Sequence, residues 1–272
     1  MSFLHFYFQG LLVIMILMTL LWVLSVIVKN ASIVDLFWGL GFVLTSGFYF
    51  LKTNGFAARK VILIVLVAIW GLRLSVYLAM RNIGKGEDFR YKEFRKKFGE
   101  KRYWWISFFH TFLLQGILMW LISAPLLGAQ YYGRYNSMGI FDYIGIMLWI
   151  TGLCFEAGGD YQLARFKANP ANKGKVLDKG FWRFTRHPNY FGDSAVWWGY
   201  GFLCMASGSY IPILGSLLMT ALIIKVSGVA LLEKSLKEQK PQYKEYIEKT
   251  SAFLPWFPSN TVKHGGKQRK SN

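Results

Sequence analysis

The sequence predicts an all-α integral membrane protein with about seven transmembrane helices. Hydrophobic residues make up 54% of the chain and aromatic residues 18%, a composition that soluble domains rarely show. Several apolar runs are long enough to cross about 30 Å of hydrocarbon as helices. The formal net charge of +18 arises mainly from lysines and arginines in the loops between these runs. Because no basic amphipathic face carries them, they indicate a membrane topology and not a nucleic-acid partner.

Hydropathy defines the seven candidate spans in chain order. The first lacks a basic n-region and a small-residue cleavage site, so we expect a retained span and not a cleaved signal. The last two are separated by a short polar turn, which predicts a tight helical hairpin. The predicted boundaries are Phe6–Val28, Ile33–Leu51, Val61–Met80, Ile106–Leu127, Ile140–Ala157, Tyr190–Ala206 and Ile211–Leu232.

The basic residues are distributed very unequally between the two sides of this topology. Twenty-six lie in the loops 81–102 and 165–186, in the C-terminal tail and at Lys29, against four on the opposite side. Cytoplasmic loops carry the excess of lysine and arginine, so the C-terminus is predicted in the cytoplasm and the N-terminus outside. The polar loops are too short for a second soluble domain. We therefore expect one membrane domain over 1–258 and a basic disordered tail over 259–272.

Four acidic residues in or at the edge of the apolar spans are singled out as candidates: Asp35, Glu156, Asp160 and Asp193. A carboxylate at that depth is costly unless it is paired or lines a wet cavity, so each is a functional candidate, with a structural ion pair as the alternative. Glu156 and Asp160 are four residues apart and share one helical face. The "AGG" between them offers a small surface that another chain segment or a ligand can approach closely. The remaining acidic residues are expected on solvated faces.

Two basic or mixed segments complete the candidate site. In "RNIGKGEDFRY", Arg81, Lys85 and Arg90 surround two glycines and can neutralise phosphate, although a lipid-facing topology signal is the alternative. In "FTRHPNYFGD", Pro188 predicts a helix start, which would place Asn189 and Asp193 on one face beside Arg186 and His187. Tyr243 and Tyr246 follow at helical spacing and could close over a planar ligand or anchor the tail at the headgroups.

The chain resembles the superfamily of membrane enzymes that contains the steroid 5-alpha-reductases, the sterol C14 reductases and the isoprenylcysteine carboxyl methyltransferases. It is similar in particular to an uncharacterised bacterial branch of that superfamily. The resemblance rests on "SIVDLFWGLGF", "WGLRLSVYLAMRNIGKGEDFRY", "KGFWRFTRHPNYFGD" and "LLEKSLKEQKPQYKEYIEKTSAFLPWF". "RHPNY" alone is shared by reductases and methyltransferases.

The resemblance implies a seven-helix fold with NADPH held between the cytoplasmic loops and the C-terminal helices. Asp160, Asn189, Asp193 and Tyr246 match positions that contact the cofactor in the steroid reductases, while Glu156 replaces an asparagine. Together with the residues singled out above, the candidate cofactor-binding set is Arg73, Arg81, Lys85, Arg90, Glu156, Asp160, Lys167, Arg186, His187, Asn189, Tyr190, Asp193, Glu233, Tyr243 and Tyr246.

The implied reaction is hydride transfer from NADPH to the β-carbon of an enone in a steroid-like or other lipophilic substrate. The steroid enzymes carry a Gln-Glu pair in the second span, where this chain has Asp35 without a preceding glutamine. A protonated Asp35 could donate to the substrate carbonyl, whereas an ionised one could not. Tyr77 lies near the expected catalytic tyrosine. Phe37, Trp38, Trp197 and Trp198 could line the substrate chamber, with ordinary helix packing as the alternative.

Two other function classes remain open at this stage. An S-adenosylmethionine-dependent lipid or prenyl-cysteine methyltransferase would use the same segment from His187 to Tyr190 together with Glu233, but it needs no phosphate-binding cations. A non-enzymatic lipid-binding protein needs none of the buried polar residues. The cations and Asp160 favour the dinucleotide.

The expected partners are a lipophilic small molecule and membrane lipids, with no metal, no nucleic acid and no obligate protein partner. Cys154 and Cys204 lie in apolar stretches and are expected to be buried free thiols. The expected location is a bacterial inner membrane, with the cofactor site on its cytoplasmic side.

Overall fold

The computed structural model describes residues 1–82, 84–133, 135–227 and 242–259. These residues form helices and connecting loops, and no strand occurs within those ranges, so the predicted all-α class is confirmed. Glu233 and residues 260–272 of the predicted tail lie outside the described residues. In chain order the α-helices are α1 Phe3–Ile27, α2 Ile33–Leu36, α3 Trp38–Lys52, α4 Ala57–Asn82, α5 Phe89–Phe98, α6 Tyr103–Ser107, α7 Leu114–Ile122, α8 Ala124–Tyr131, α9 Ile140–Ala168, α10 Phe181–Phe184, α11 Pro188–Ala206, α12 Leu214–Leu222 and α13 Gln242–Lys249.

Four helical stretches of the described part are long and apolar enough to cross a membrane: Phe3–Ile27, Ala57–Asn82, Tyr103–Tyr131 and Ile140–Ala168. They coincide with the first, third, fourth and fifth predicted spans. The Tyr103–Tyr131 stretch includes a π-helical segment between α6 and α7. The full set of seven spans and the orientation of the termini stay predictions.

The second, sixth and seventh predicted spans are not among these four stretches. The second is interrupted at Phe37, which separates α2 from α3 with φ −100° and ψ 3°. The sixth begins at Pro188, as the sequence indicates, because proline has no backbone N–H to lose in a first helical turn. The last predicted hairpin contains α12 followed by a π-helical segment, Ile223–Ser227.

The chain divides into two compact units, one formed by Met1–Met147 with Trp198–Leu218 and the other by Leu148–Trp197 with Met219–Asn272. The prediction of one membrane domain over 1–258 stays a prediction. In the first unit, α3 packs on α4 where Gly39 and Gly71 let the two backbones touch. Trp70 is 1% exposed and packs between the rings of Phe42 and Tyr200. Helix packing at small residues is the usual device where lipid supplies no hydrophobic drive between helices.

A fully buried ion pair joins α4 to α9 in the first unit. Arg59 Nε donates to Asp142 Oδ1 at 2.6 Å, and Arg59 Nη2 donates to Oδ2 at 3.0 Å. Both side chains are 0% exposed. The backbone N–H of Gly139 adds a third hydrogen bond to the carboxylate, at 2.9 Å. The expectation of a solvated face is therefore wrong for Asp142, because its charge is matched by a bidentate guanidinium and needs no water.

In the second unit, α9 and α11 touch along a glycine seam. A Cβ on Gly152 would lie 2.6 Å from the Gly192 carbonyl oxygen, and one on Gly159 would lie 3.0 Å from Pro188 Cγ. Gly158 takes up the Phe181 ring in the same way. The small surface predicted at "AGG" is thus occupied by other segments of the chain itself.

The two cysteines differ in exposure although both are free thiols. Cys204 is buried, as expected, and its thiol faces Gly128. Cys154 is exposed, so the expectation of burial is wrong there. It lies at an outward-facing position of a candidate membrane-spanning helix, where lipid would solvate an apolar thiol about as well as protein does.

Candidate functional site

In the first unit, Asp35 is the centre of a hydrogen-bonded network. Its Oδ1 accepts from the Tyr91 hydroxyl at 2.6 Å, and its Oδ2 accepts from Arg90 Nη2 at 2.8 Å. The Tyr91 oxygen in turn accepts from Gln115 Nε2 at 3.1 Å, and Gln115 Oε1 accepts from Trp38 Nε1 at 2.7 Å. One half-buried carboxylate is therefore linked through a phenol and an amide to an indole on α3.

The charges around this network favour a protonated phenol and a charged guanidinium. Burial raises the pKa of Tyr91, and the neighbouring Asp35 charge raises it further. Burial alone would lower the pKa of Arg90, but its hydrogen bonds with Asp88 and the Asp35 charge outweigh that effect and raise it. At neutral pH, Tyr91 thus keeps its proton and Arg90 its charge.

Asp35 accepts two hydrogen bonds, which is the pattern of an ionised carboxylate. Its predicted use as a hydrogen-bond donor stays a prediction, and the group that holds a proton beside it is Tyr91. Sequence reasoning missed Tyr91 because it lies 56 residues from Asp35 and no local spacing relates them. Tyr77, the tyrosine favoured from the sequence, is half-buried on α4 and lies below the Arg81 guanidinium at 5.8 Å.

The predicted phosphate loop after α4 adopts the bend that its glycines allow. Gly84 and Gly86 have φ values of +82° and +74°, which only glycine adopts readily. Arg81 and Lys85 are exposed on either side of this loop, while Arg73 lies half-buried on α4. Arg90, the fourth predicted cation of this unit, is engaged with Asp35 and Asp88.

In the second unit, the structure brings Asp160 and Asn189 together. Asn189 Nδ2 donates to Asp160 Oδ1 at 3.3 Å, and Asn189 Oδ1 accepts from the Tyr190 N–H. Glu156 and Asp160 are 3% and 5% exposed, one turn apart on α9. Asp193 is half-buried one turn beyond Asn189 on α11, as the spacing predicts. His187 is buried and its ring stacks on that of Tyr190 at 5.5 Å.

The segment before α11 is bonded to the C-terminal residues 242–259. Arg186 donates from its backbone N–H to Ser251 O at 2.9 Å and from Nη1 to Thr250 O at 2.6 Å. The hydroxyl of Tyr246 donates to the Trp182 carbonyl oxygen. Arg186, predicted to bind a cofactor, thus also fixes the C-terminal segment. Burial raises the pKa of Tyr246, so its hydroxyl remains a donor at neutral pH.

A pocket of about 440 Å³ lies between the end of α9, the following loop and α13, wholly within the second unit. Its lining carries four cations and, within the described residues, no carboxylate. Four aromatic side chains, Phe166, Trp182, Tyr243 and Tyr246, form part of its wall. The cations are Lys167, Lys173, Lys175 and Arg186.

Sequence reasoning named Lys167, Arg186 and both tyrosines but missed Lys173 and Lys175. It counted these two lysines only as topology signals. The available signal was the glycine between them: Gly174 has φ +81° and turns the chain so that both lysines line one pocket.

The four residues predicted for the substrate chamber lie in different environments. Phe37 occupies the break between α2 and α3, and Trp38 belongs to the Asp35 network. Trp197 is 0% exposed and Trp198 is half-buried. For Trp197 the surroundings are those of helix packing, the alternative named above.

Comparisons with known proteins identify the family. Residues 21–250 match the family described as "Protein of unknown function (DUF1295)". The chain belongs to this family. DUF1295 proteins are part of the steroid 5-alpha-reductase-like superfamily, so the resemblance read from the sequence is confirmed at that level.

Two relatives are similar to this DUF1295 chain at low identity. An uncharacterized protein of Schizosaccharomyces pombe is 27% identical over 94% of this chain and 83% of its own length. A Delta(14)-sterol reductase of Ascobolus immersus is 26% identical over 49% of this chain and 33% of its own length. Both are fungal proteins, and the bacterial branch and bacterial membrane stay predictions. No solved structure matches the chain.

Proposed function

We propose that this protein is a membrane-embedded, NADPH-dependent reductase that acts on an activated C=C bond of a lipophilic substrate. The observation that carries the proposal is the pocket of the second unit, in which cations and aromatic rings line one cavity. The sterol reductase relative supports the reaction class. The seven spans and the cytoplasmic placement of the loops are part of the same proposal.

The pocket lining fits a dinucleotide phosphate in charge and chemistry. Its volume lies within the range of about 300–1,000 Å³ that is typical of small-molecule sites. The ammonium groups of Lys167, Lys173 and Lys175 would hold phosphate oxygens, and the rings of Trp182 and Tyr243 offer flat apolar surface to a base. S-Adenosylmethionine carries a sulfonium cation, and a lining without a described carboxylate opposes it.

Asp160 and Asn189 lie in the same unit but do not line this pocket, and in this proposal they supply the polar recognition that lysines and aromatic rings lack. An amide already held by a carboxylate has a fixed orientation, so Asn189 can present its remaining donor and acceptor to a carboxamide or hydroxyl at little entropic cost. Asp160 is 5% exposed and holds this amide from α9. In this proposal the pair orients the cofactor and takes no part in proton transfer.

The bound cofactor would supply a hydride to the β-carbon of the substrate. The chain must then polarise the substrate carbonyl and provide a proton. In the first unit, the groups whose chemistry suits this task are Tyr91 and Asp35. A carbonyl oxygen that reached Tyr91 would receive the hydrogen bond that the phenol now gives to Asp35, while Arg90 continues to balance the carboxylate charge. Gln115 holds the phenol oxygen in place.

Ligand-dependent stability of the purified protein in detergent tests the proposal. NADPH, NADP⁺ and S-adenosylmethionine are added separately, and the unfolding temperature is followed. A ligand that binds the folded state stabilises it by about 2.7 kcal/mol at a hundredfold excess over its dissociation constant. We expect stabilisation by NADPH and its loss in Asp160→Ala and Asn189→Ala.

Two other outcomes of this stability experiment would support a different function. Stabilisation by S-adenosylmethionine alone would move the protein to the methyltransferase class and remove the role given to Asp35 and Tyr91. If no nucleotide stabilises a protein that is folded and binds phospholipid, the non-enzymatic lipid-binding function replaces the reductase.

A further inference from the structure

A second pocket, of about 640 Å³, lies in the first unit where α1 ends and α6 begins. It shares no residue with the cation-lined pocket of the second unit. Both helices belong to candidate membrane spans, so this pocket is at the end of two spans, where lipid headgroups are found. Its walls come from Ser25 and Val26 on α1 and from Tyr103, Trp104 and Ser107 on α6, with Lys29, Ala31, Arg95 and Glu100 completing it.

The charges at this pocket cancel. Arg95 forms a bidentate pair with Glu87, with its Nη2 at 2.8 Å and its Nε at 3.0 Å from the two carboxylate oxygens. That hydrogen-bonded pair is the main reason why the pKa of Arg95 is raised, and the nearby charge of Glu100 raises it further. Lys29 and Glu100 are both exposed and add one charge of each sign to the lining. A net anionic ligand and a net cationic ligand would each leave one of these two charges without compensation.

The remaining walls supply acceptors and apolar surface. The hydroxyls of Ser25 and Ser107 donate to the carbonyl oxygens of Trp22 and Trp104, so their oxygen atoms remain available as acceptors. Trp22 Nε1 donates to the Trp104 carbonyl oxygen at 2.8 Å and fixes one wall. Val26 and Trp104 are 38% and 54% exposed and continue the pocket as apolar surface on the spans.

We propose that this pocket binds the headgroup of a zwitterionic phospholipid that carries a primary ammonium, a phosphoethanolamine. Lys29 pairs with the phosphate, and Glu100 accepts from the ammonium together with the serine oxygens. The acyl chains lie along Val26 and Trp104. A phosphocholine has the same charges but no N–H to donate, and a phosphoglycerol has no cation for Glu100. Ammonium donors therefore decide the selectivity.

Binding of short-chain phospholipids to the delipidated full-length protein tests this site. Phosphatidylethanolamine, phosphatidylcholine and phosphatidylglycerol are titrated in detergent, with native mass spectrometry as the readout. We expect the first to bind about tenfold more tightly than the others, which corresponds to one charge-assisted hydrogen bond. Glu100→Gln should remove this preference. Lys29→Asn, which keeps a residue that tolerates the φ of 53° at that position, should weaken all three lipids.

The exposed pair Glu93 and Lys96 lies on α5, which carries Arg95 of the lining, but outside the pocket, and it provides matched controls. Glu93→Gln and Lys96→Gln should leave lipid affinity and selectivity unchanged. Equal or tighter binding of phosphatidylglycerol, or a preference that survives in Glu100→Gln, would overturn the proposal. Displacement of phosphatidylethanolamine by inorganic phosphate at equal concentration would reassign the pocket to a free anion and overturn it as well. These outcomes are independent of NADPH binding.

Discussion

Asp35 helps to keep the Tyr91 hydroxyl protonated. The Asp35 charge is one cause of the raised pKa of Tyr91, although burial is the larger one. Asp35→Asn should therefore lower the pKa of Tyr91 while leaving it above the value of a solvated tyrosine. Carbon-13 NMR of labelled tyrosine, with Tyr91→Phe to assign the signal, measures this change. An unchanged or higher pKa in Asp35→Asn would contradict the account of this network.

Asp142 compensates a guanidinium that has no access to water. Asp142→Asn keeps the side-chain shape but leaves the Arg59 charge buried and uncompensated. Loss of one partner of a buried pair costs roughly 3–5 kcal/mol. We expect a large fall in unfolding temperature in detergent, whereas Glu93→Gln, at an exposed pair, should change it little. Similar stabilities for the two variants would show that the ion pair does not stabilise the fold.

Single residues also show which side-chain contacts the sequence does not predict. Asp160 was singled out from a helix face and Asn189 from a helix start, but the hydrogen bond between them was not predicted. Arg59 and Asp142 were not paired, since the two are 83 residues apart and each lies near the end of a predicted span, where a charge can reach water. Hydropathy reports depth along a span and carries no information about which distant charge will meet another.

At the scale of the element, α5 begins with a side-chain cap. Asp88 accepts from the backbone N–H and the Nε of Arg90, both at 3.0 Å. Burial alone would raise the pKa of Asp88, but these bonds and the Arg90 charge lower it in the folded state. Because the pKa of Asp88 is lower in the folded protein, the cap stabilises α5 fully when the pH is above the pKa of an unfolded aspartate, about 3.9. This contribution is lost as the pH falls through the pKa of Asp88 in the folded state.

Asp88→Ala should destabilise α5 by about 1 kcal/mol at neutral pH, the usual cost of a lost cap. Hydrogen exchange of the Phe89–Phe98 amides measures the change. Wild type and variant should converge at a pH low enough to protonate Asp88. A difference that persists unchanged at low pH would show that the charge of Asp88 is not what caps the helix.

The α9–α11 seam requires glycine at specific positions. A Cβ at Gly192 would lie 2.5 Å from the Gly152 carbonyl oxygen, so Gly192→Ala must force the helices apart and should cost about 1–3 kcal/mol. Gly47 on α3 has open space where its Cβ would be, and Gly47→Ala should be neutral or stabilise by up to about 1 kcal/mol. Thermal unfolding of both variants compares them. A tolerated Gly192→Ala would show that the seam is not tightly packed.

The positions of the long helices were the most predictable feature of this structure. Apolar length gave α1, α4 and α9, and Pro188 gave the start of α11. The break at Phe37 was not predicted because "VDLFWGL" is apolar apart from Asp35 and contains no proline. Helix α2 ends within a segment whose hydropathy stays high. The second span was predicted from hydropathy alone, which gives no sign of this break.

At the scale of the whole molecule, the excess of lysine and arginine has two possible roles: a topology signal and a set of phosphate-binding cations. The structure distinguishes the lysines that line a pocket from those that do not. The basic loops were read as a topology signal, which leaves no reason to distinguish Lys173 or Lys175 from Lys179. Gly174 turns the chain so that the first two line a pocket with Trp182 and Tyr243. Lys179 is exposed in the same loop and does not line that pocket.

This difference defines the most direct test of the proposed function. NADPH affinity is measured by equilibrium fluorescence titration for the wild type, for Lys173→Gln/Lys175→Gln and for Lys179→Gln. Each lost charge-assisted contact to phosphate weakens binding by about 1.5 kcal/mol or more, so the double variant should bind at least about a hundredfold more weakly. Lys179→Gln should retain wild-type affinity. Equal affinity in all three proteins, or no NADPH binding by the folded wild type, would contradict the assignment of this pocket to the cofactor.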